Sequence, residues 1–553
     1  MNNLLKGTAI LTASQYLSKL LGFLYIIPFI ALIGTKGYIL FEYAYKPYTI
    51  MLSMATLGVP LAISKFVSKY NELKEYKTAK RLFKMAVVFA LLSGGVSCLA
   101  LYSLAPSVAP LLIDEGSVTG NTKGDIIYVI RMISFALILV PLMAVIRGYF
   151  QGHGAMIPTA VSQTLEQLVR VTFILAATFF ILETDGGELT KAVGMATFAA
   201  TVGALAGLLV LLWYLKAWKK RLDPYPEPHE MVHTARSKRE LMGEMITTAL
   251  PFVIIGLALP LYQLIETFTV NKPLMEAGYS QLEAETVNSL IALAQKLILI
   301  PVGLSTAFGL ALLPAITKAH TAGEKGIVHH HMTKTFQVLL FVLVPTTFLF
   351  MTGADDLFGI MFGLENQEAG GRIMMWYAPS MILYSFYIVT ASMLQGLNRE
   401  KFAILALLIG VFLKLLLNPY FVMTFEAVGT ILTTNIGFLV SIGLHLWWLR
   451  KQAQYPFRKI VFQSGTIMVV GFLSTVVGFL LMALFTFITG DQETIVMNLI
   501  RILILGGSVM TVYVVASMKT GILFQLMGSR YRWLRHVEKK LKKKTGTKSN
   551  HPA

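Results

Sequence analysis

Charged residues are scarce in this sequence. Only 14% of its 553 residues are Asp, Glu, Lys or Arg, where a soluble chain carries roughly 25%. Hydrophobic residues make up 55% and the mean hydropathy is +0.66. A water-soluble fold of this length would leave most of that apolar surface with nowhere to hide. Disorder, a coiled coil, a disulfide-stapled secreted fold and a soluble enzyme are excluded, and a polytopic membrane protein remains. The single cysteine, Cys98, excludes an intramolecular disulfide and a Cys-rich metal site. No Walker A motif is present, so the chain itself does not hydrolyse ATP. No zinc-protease or paired-acid site stands in a loop, and His329-His330-His331, in a basic loop, reads as incidental. Neither a cofactor nor a metal is expected. No cleavable leader is expected either, because the first apolar run, about 7–33, is too long for a signal h-region.

Apolar runs dominate instead. A helix needs about 20 apolar residues to cross the hydrocarbon core. The runs predict an all-α fold of fourteen transmembrane helices, at about 7–33, 42–64, 85–106, 126–150, 157–182, 190–215, 245–270, 286–316, 335–353, 373–396, 402–424, 427–449, 460–489 and 496–518. Leu357-Phe358-Gly359-Ile360-Met361-Phe362 is apolar but too short to span and reads as interfacial.

The net charge of +18 would suggest nucleic acid in a soluble protein. Here it reads as cytoplasmic loops rich in Lys and Arg, and no nucleic-acid partner is expected. With a cytoplasmic N-terminus, Lys65, Lys69, Lys74, Lys77, Lys80, Arg81 and Lys84 all fall inside. So do the basic residues of 216–239, Arg450, Lys451 and the run Lys539-Lys540-Leu541-Lys542-Lys543-Lys544. Only Lys36, Lys123, Lys191, Lys272 and Arg372 among the loop cations fall outside, where acids such as Asp114, Glu183, Asp355 and Asp356 collect. Both termini are therefore expected in the cytoplasm. The basic tail reads either as a contact with anionic lipid headgroups or as a solvated end.

The chain repeats itself. Val59-Pro60-Leu61-Ala62-Ile63-Ser64-Lys65 and Leu313-Pro314-Ala315-Ile316-Thr317-Lys318 both put a proline about one turn before a hydroxyl and a lysine. Tyr149-Phe150-Gln151-Gly152 matches Met393-Leu394-Gln395-Gly396. Arg170 follows Gln151 by nineteen residues, as Lys414 follows Gln395. Spans 1–6 and 7–12 thus read as two copies of a six-helix unit. Six is even, so the repeat is parallel, an arrangement suited to alternating access. The predicted organisation is an N-lobe at 1–216, a basic linker at 217–240, a C-lobe at 241–450, two further helices within 451–518, and a basic tail at 519–553.

Seven cations fall within spans: Lys19, Lys46, Arg131, Arg170, Lys296, Lys414 and Arg501. Arg131 and Arg501 lie near outer helix ends and are expected to snorkel. Lys19, Arg170, Lys296 and Lys414 sit near mid-span, where each would cost about 2.5–3.5 kcal/mol facing lipid. Among the span acids Glu42, Glu166 and Glu266, only Glu166 reads as deep. Its i, i+4 spacing from Arg170 predicts a structural pair. Lys19, Lys296 and Lys414 have no evident carboxylate, and an interior with excess positive charge suits an anionic substrate. Ser14, Gln15 and Ser18 around Lys19, and Asn288, Gln295 and Ser305 around Lys296, read either as cavity wall or as interhelical hydrogen bonding. Tyr43, Tyr45 and Tyr48 suit an aromatic belt or a vestibule wall.

Ser18-Lys19-Leu20-Leu21-Gly22-Phe23 resembles the first-helix motif of MurJ-type lipid II flippases. Ala44-Tyr45-Lys46-Pro47-Tyr48 and Leu57-Gly58-Val59-Pro60-Leu61-Ala62-Ile63-Ser64-Lys65 resemble the second helix of the Gram-positive SpoVB/MurJ branch. Gln295-Lys296-Leu297 through Pro301, with Leu312-Leu313-Pro314, is similar to the family's eighth helix. The resemblance covers nearly the whole chain and extends to the multidrug/oligosaccharidyl-lipid/polysaccharide exporter superfamily. It implies fourteen helices in a 6+6+2 arrangement and a central cavity where Lys19 and Lys296 hold a lipid-linked diphosphate. It further implies a groove for the polyprenyl tail on the last two helices. Both cations are lysine where proteobacterial members have arginine, and Tyr25 and Leu299 stand near a cavity arginine and an acid of the family.

The expected function is transport, not enzymatic catalysis: an alternating-access flippase moving undecaprenyl-diphosphate-linked lipid II from the inner to the outer leaflet. The alternatives are export of another polyprenyl-linked polysaccharide or spore-envelope precursor, and cation-coupled multidrug extrusion. Lys19, Lys296, Lys46, Ser18, Gln15, Gln295, Glu42 and Lys414 are the expected substrate contacts. Glu166 and Arg170 are the structural pair, and membrane lipids the surroundings of an expected monomer.

Overall fold

The structure, a computed structural model, describes residues 13–527 except 15–16, 57–58, 74, 114–119, 185–186, 219–242, 244–249, 252, 457 and 491–492. Gln15, nearly all of the expected linker and the tail from residue 528 lie outside the described residues. Every regular element among those residues is a helix. Ten helices are long and apolar enough to cross a membrane, or eleven when the pair Gln367–Tyr377 and Ser380–Gly396, bent by 40°, counts as one span. Pro379 sits at that bend, and a proline removes the amide that would carry the helix through it.

Two of the long helices contain a non-helical residue. Gly34 interrupts Ile26–Thr56 with φ 64° and ψ −174°, a backbone conformation that only glycine adopts freely. Glu426 interrupts Glu400–Lys451 with φ 52° and ψ −130°. Both residues fall between two of the spans expected from hydropathy. The segment expected at the interface is the nine-residue helix Ala354–Phe362, which is too short to cross.

The chain divides into two compact units, Met1–Ala292 with Val411–Thr430, and Leu293–Gly410 with Ile431–Ala553. In the first, Ile63, Phe66, Leu82, Met143, Phe150 and Leu208 belong to one buried cluster. It joins Val59–Glu72, Tyr76–Leu112, Ala136–Gly152 and Leu189–Ala217. Lys123–Ser134 begins with a capping box: the Thr122 hydroxyl accepts from the Asp125 amide and the Asp125 carboxylate accepts from the Thr122 amide. Leu189–Ala217 turns a stripe of small residues, including Ala196, Ala200, Gly203 and Gly207, inward. Small residues let membrane helices approach at backbone distance, and here the partner is Met156–Thr184. In the second unit, Leu340, Val344, Ile467 and Ile522 form a buried cluster, and Arg458–Thr489 packs along Ile495–Lys519.

The sequence match at Gln151-Gly152 and Gln395-Gly396 has a structural counterpart. After Gln151, the amides of Gly154 and Ala155 donate to Gln151 and Phe150 carbonyls at 2.9 Å each. After Gln395, Asn398 and Arg399 donate to Gln395 and Leu394 at 3.0 and 2.8 Å. Gly154 and Asn398 both take positive φ, 70° and 57°, the left-handed residue that closes a helix C-terminus. A Cβ on Gly152 would meet Ser64 O at 2.9 Å, and one on Gly396 would meet Leu313 O at 3.2 Å. Each glycine is pressed against a helix carrying one of the two proline–hydroxyl–lysine motifs.

Close packing at Gly203 gives a test. A Cβ at Gly203 would meet Glu166 O at 2.8 Å and Arg170 Cβ at 2.9 Å, and backbone oxygen cannot swing aside. Gly203→Leu is expected to destabilise the protein by about 1–3 kcal/mol, read as a lower unfolding temperature of the detergent-purified chain. An unchanged unfolding temperature would contradict the packing.

Candidate functional site

Helix Met156–Thr184 organises the polar interior of the first unit. The Ser14 hydroxyl donates to Ala160 O at 2.8 Å and lies 2.8 Å from the Thr164 hydroxyl. The Ser18 hydroxyl donates to Gln163 O at 3.4 Å. A Cβ on Gly22 would touch the Gln167 amide at 3.0 Å. Positions 14, 18 and 22 thus climb alongside 160–164, 163 and 167. Lys19, on the same helix as Ser18 and Gly22, is exposed.

Glu166 holds two cations. Arg170 Nη2 donates to Oε1 at 2.5 Å, and Arg147 Nη2 donates to Oε2 at 2.8 Å and to the Ser162 hydroxyl at 2.8 Å. The side chains of Arg147 and Arg170 remain 15% and 18% exposed. The i, i+4 spacing pointed to Arg170. Arg147, not among the seven cations singled out within the spans, lies within Ala136–Gly152; its distance of nineteen residues from Glu166, on another helix, leaves no periodic signal.

The expected site residues Glu42, Lys46 and Lys414 are all buried. Lys46 Nζ lies 3.9 Å from Glu42 Oε2, and the Tyr38 hydroxyl donates to Glu42 Oε1 at 3.1 Å. Lys414 donates to Thr430 O at 3.1 Å and to its hydroxyl at 3.2 Å, within the field of Glu266 and Lys46. One reading is corrected here. Glu42 and Glu266 are as buried as Glu166 or more so, because helix packing buries a side chain whatever its depth along a span. Lys414 stands near a carboxylate, Glu266, contributed by another helix.

Sequence reasoning missed Glu285, which it left one residue outside its span. The residue is fully buried, and its carboxylate accepts from the Asn121 amide at 3.0 Å, Asn121 Nδ2 at 2.8 Å and Gln281 Nε2 at 3.2 Å. It also missed Asn271, which donates to the Tyr43 hydroxyl and to Leu112 O and accepts from Asn288 Nδ2 at 2.8 Å. The terminal position of these acids and amides in their apolar runs was the only available signal.

In the second unit Lys296 is half-buried. Its neighbour Gln295 donates to the Tyr377 hydroxyl at 2.6 Å, and the Tyr384 hydroxyl donates to the same oxygen at 3.2 Å. Ser305 is buried. Arg501, expected to snorkel, is instead 6% exposed and donates to Asp356 at 3.4 Å. The short helix Ala354–Phe362 brings an acid of the expected outer loop over it.

Sharing one carboxylate between two guanidiniums has a measurable signature. Arg147→Ala and Arg170→Ala are each expected to cost about 1.5–3 kcal/mol, the worth of a hydrogen bond to a charged group. The double variant should cost more than the sum, because Glu166 then keeps a buried charge without a guanidinium. Thermal unfolding of the detergent-purified variants tests this; strict additivity would count against the shared arrangement.

The model of the family described as polysaccharide biosynthesis protein matches residues 4–320, and the MatE model matches 274–420. The chain is 37% identical to the lipid II flippase MurJ of Bacillus subtilis (strain 168), over 96% of this chain and 97% of that protein. It is 24% identical to stage V sporulation protein B of the same organism, over 86% of this chain and 89% of that protein. Among solved structures, a lipid II flippase MurJ in an inward closed conformation aligns with TM-score 0.60 at 14% identity, covering 94% of this chain and 99% of that one. An inward-facing multidrug resistance MATE family transporter aligns with TM-score 0.58 at 14% identity, covering 78% and 94%. These structural likenesses establish the fold, and the sequence identity along nearly the full length of both chains establishes kinship: the chain belongs to the MurJ lipid II flippase family.

Proposed function

We propose that this protein carries undecaprenyl-diphosphate-linked peptidoglycan precursor, lipid II, from the inner to the outer leaflet for cell-wall synthesis. It is a multi-pass protein of the cell membrane and a transporter, not an enzyme. The observation that carries the cargo assignment is the 37% identity to the lipid II flippase MurJ across 96% of the chain. Exposed Lys19, together with the two guanidiniums of Arg147 and Arg170 that share Glu166, agrees with an anionic cargo.

The finer reading has fourteen spans in a 6+6+2 arrangement. Dividing the long helices at Gly34 and Glu426, counting the bent pair as one span and adding the segment that ends in Ala258–Thr269 brings the ten apolar helices to fourteen. The two matching helix ends at Gln151-Gly152 and Gln395-Gly396 support an internal repeat. In this reading 1–216 and 241–450 are lobes joined by a cytoplasmic linker at 217–240. Helices within 451–518 serve the lipid tail, and the tail 519–553 is cytoplasmic. The protein works as a monomer with no nucleic-acid partner. Lys19 and Lys296 are the cargo's principal cations, with Ser18, Gln15 and Gln295 beside them. The buried residues Glu42, Lys46 and Lys414 reach cargo only when the helices around them part.

A second reading keeps the mechanism and changes the cargo to a spore-envelope precursor or another polyprenyl-linked polysaccharide. The likeness to stage V sporulation protein B favours it. Depleting the protein in its host separates the two: accumulation of lipid II in the inner leaflet supports the first reading, and accumulation of a different lipid-linked precursor supports the second.

Two outcomes are expected from variants. Lys19→Ala and Lys296→Ala should each abolish or severely reduce flipping at normal membrane abundance, while Lys→Arg at either site is partly tolerated, since both side chains can donate to phosphate. Full complementation by the double alanine variant would eliminate the cationic-cavity mechanism. For topology, a cysteine in place of Lys220 on a Cys98→Ala background should resist impermeant thiol reagents added to intact cells. Labelling from outside would overturn the orientation.

A further inference from the structure

Two guanidiniums and one carboxylate leave the group Arg147, Glu166 and Arg170 with one positive charge in excess. A purely structural ion pair has no need of the second arginine. Both arginines retain exposure, 15% and 18%, and the Nε atoms of both have no hydrogen-bond partner among the described residues. The hydroxyls of Tyr25, Tyr45 and Tyr48 lie in the field of the Arg170 guanidinium. Ser18 and Gly22, on the helix of Lys19, contact Gln163 and Gln167 of the helix that carries Glu166 and Arg170.

Guanidiniums recognise phosphate through paired, planar N–H donors, whereas an ammonium is a point charge. The arrangement therefore offers an anion two guanidiniums from two neighbouring helices, and Lys19 adds a flexible ammonium on a helix that packs against Met156–Thr184. Glu166 sets how strongly the fork grips. Its carboxylate already occupies one Nη2 of each arginine, so an arriving phosphate must share or displace it. A carrier needs such a competitor, because a site must bind well enough to be entered and weakly enough to be left.

We propose that Arg147, Glu166 and Arg170 form an anion-binding step for the cargo diphosphate next to Lys19, with Glu166 as the internal competitor that releases it. This rests on the lipid II reading above and adds to it residues that neither the sequence motifs nor the comparisons assign. Arg147 lies about one turn from the end of its helix and Arg170 further along its own, so the pair makes a ladder from one membrane face toward the interior.

The test is titration of the full-length, detergent-purified protein with farnesyl diphosphate, with inorganic pyrophosphate and phosphatidylglycerol as separate competitors. Arg147→Gln and Arg170→Gln each leave Glu166 held by the other arginine and are suited to binding measurements. Each should weaken farnesyl diphosphate binding by about tenfold, the loss of one charge-assisted hydrogen bond. Glu166→Gln keeps an acceptor and removes the competing charge, so it should tighten binding. Competition by pyrophosphate supports recognition of the phosphates; equal competition by phosphatidylglycerol overturns the proposal. Unchanged affinity in both arginine variants, or weakened binding in a folded Glu166→Gln protein, also overturns it. Lys19→Ala is the control for the underlying reading. If it loses binding while the arginine variants keep theirs, only this inference fails. If it too binds normally, the cationic-cavity reading fails as well.

Discussion

A charge inside a bilayer must bring its own solvent. Hydrocarbon offers no partner to an ammonium or a guanidinium, and the cost falls on any helix that turns one toward lipid. Several cations of this chain are accordingly held by polar partners. Glu166 serves Arg147 and Arg170, Thr430 and Glu266 serve Lys414, Asp356 serves Arg501, and Glu42 serves Lys46. Glu166 with Arg170 and Glu42 with Lys46 are neighbours on one helix, whereas Arg147–Glu166, Lys414–Glu266 and Arg501–Asp356 join different helices, and those three help to fix which helices adjoin.

The same contacts need close helix approach. Glu166 and Arg170 can face the interior because Gly203 and Gly207 allow Leu189–Ala217 to lie against the backbone behind them. Lipid is as apolar as leucine, so association of these helices owes little to hydrophobicity and much to packing and polar contacts. Small residues and paired charges therefore work together: the small residues permit the distance at which the charges satisfy one another.

Hydropathy made the all-helical membrane fold legible, because length and apolarity are local properties. Periodicity made Glu166–Arg170 legible, because i, i+4 neighbours share a helix face. The Arg147 contact, and the pairing of Arg501 with Asp356 across 145 residues, depend on which helices adjoin, and no local pattern carries that. Arg501 illustrates the failure well. A cation near a helix end normally reaches the interface, but a nine-residue helix with an inward acid covers this one. Gly34 and Glu426 show a related limit. Hydropathy separated the spans on either side, and a residue with non-helical backbone angles breaks the helix at each of the two places, but hydropathy alone does not tell that the break is a single residue.

Arg170 and Lys414 stand at the same sequence distance, nineteen residues, from the glutamine of a Gln-Gly helix end. Their surroundings have diverged. Arg170 shares its acid with a second arginine, keeps part of its surface open and leaves positive charge in excess. Lys414 is fully buried, and its ammonium donates hydrogen bonds to the carbonyl and the hydroxyl of Thr430. A charge that is sealed and internally solvated contributes to helix packing; one that is open and only partly neutralised can still bind an anion. The two Gln-Gly helix ends match, and the identity of the neighbouring side chains decides whether the cation nineteen residues on stays available.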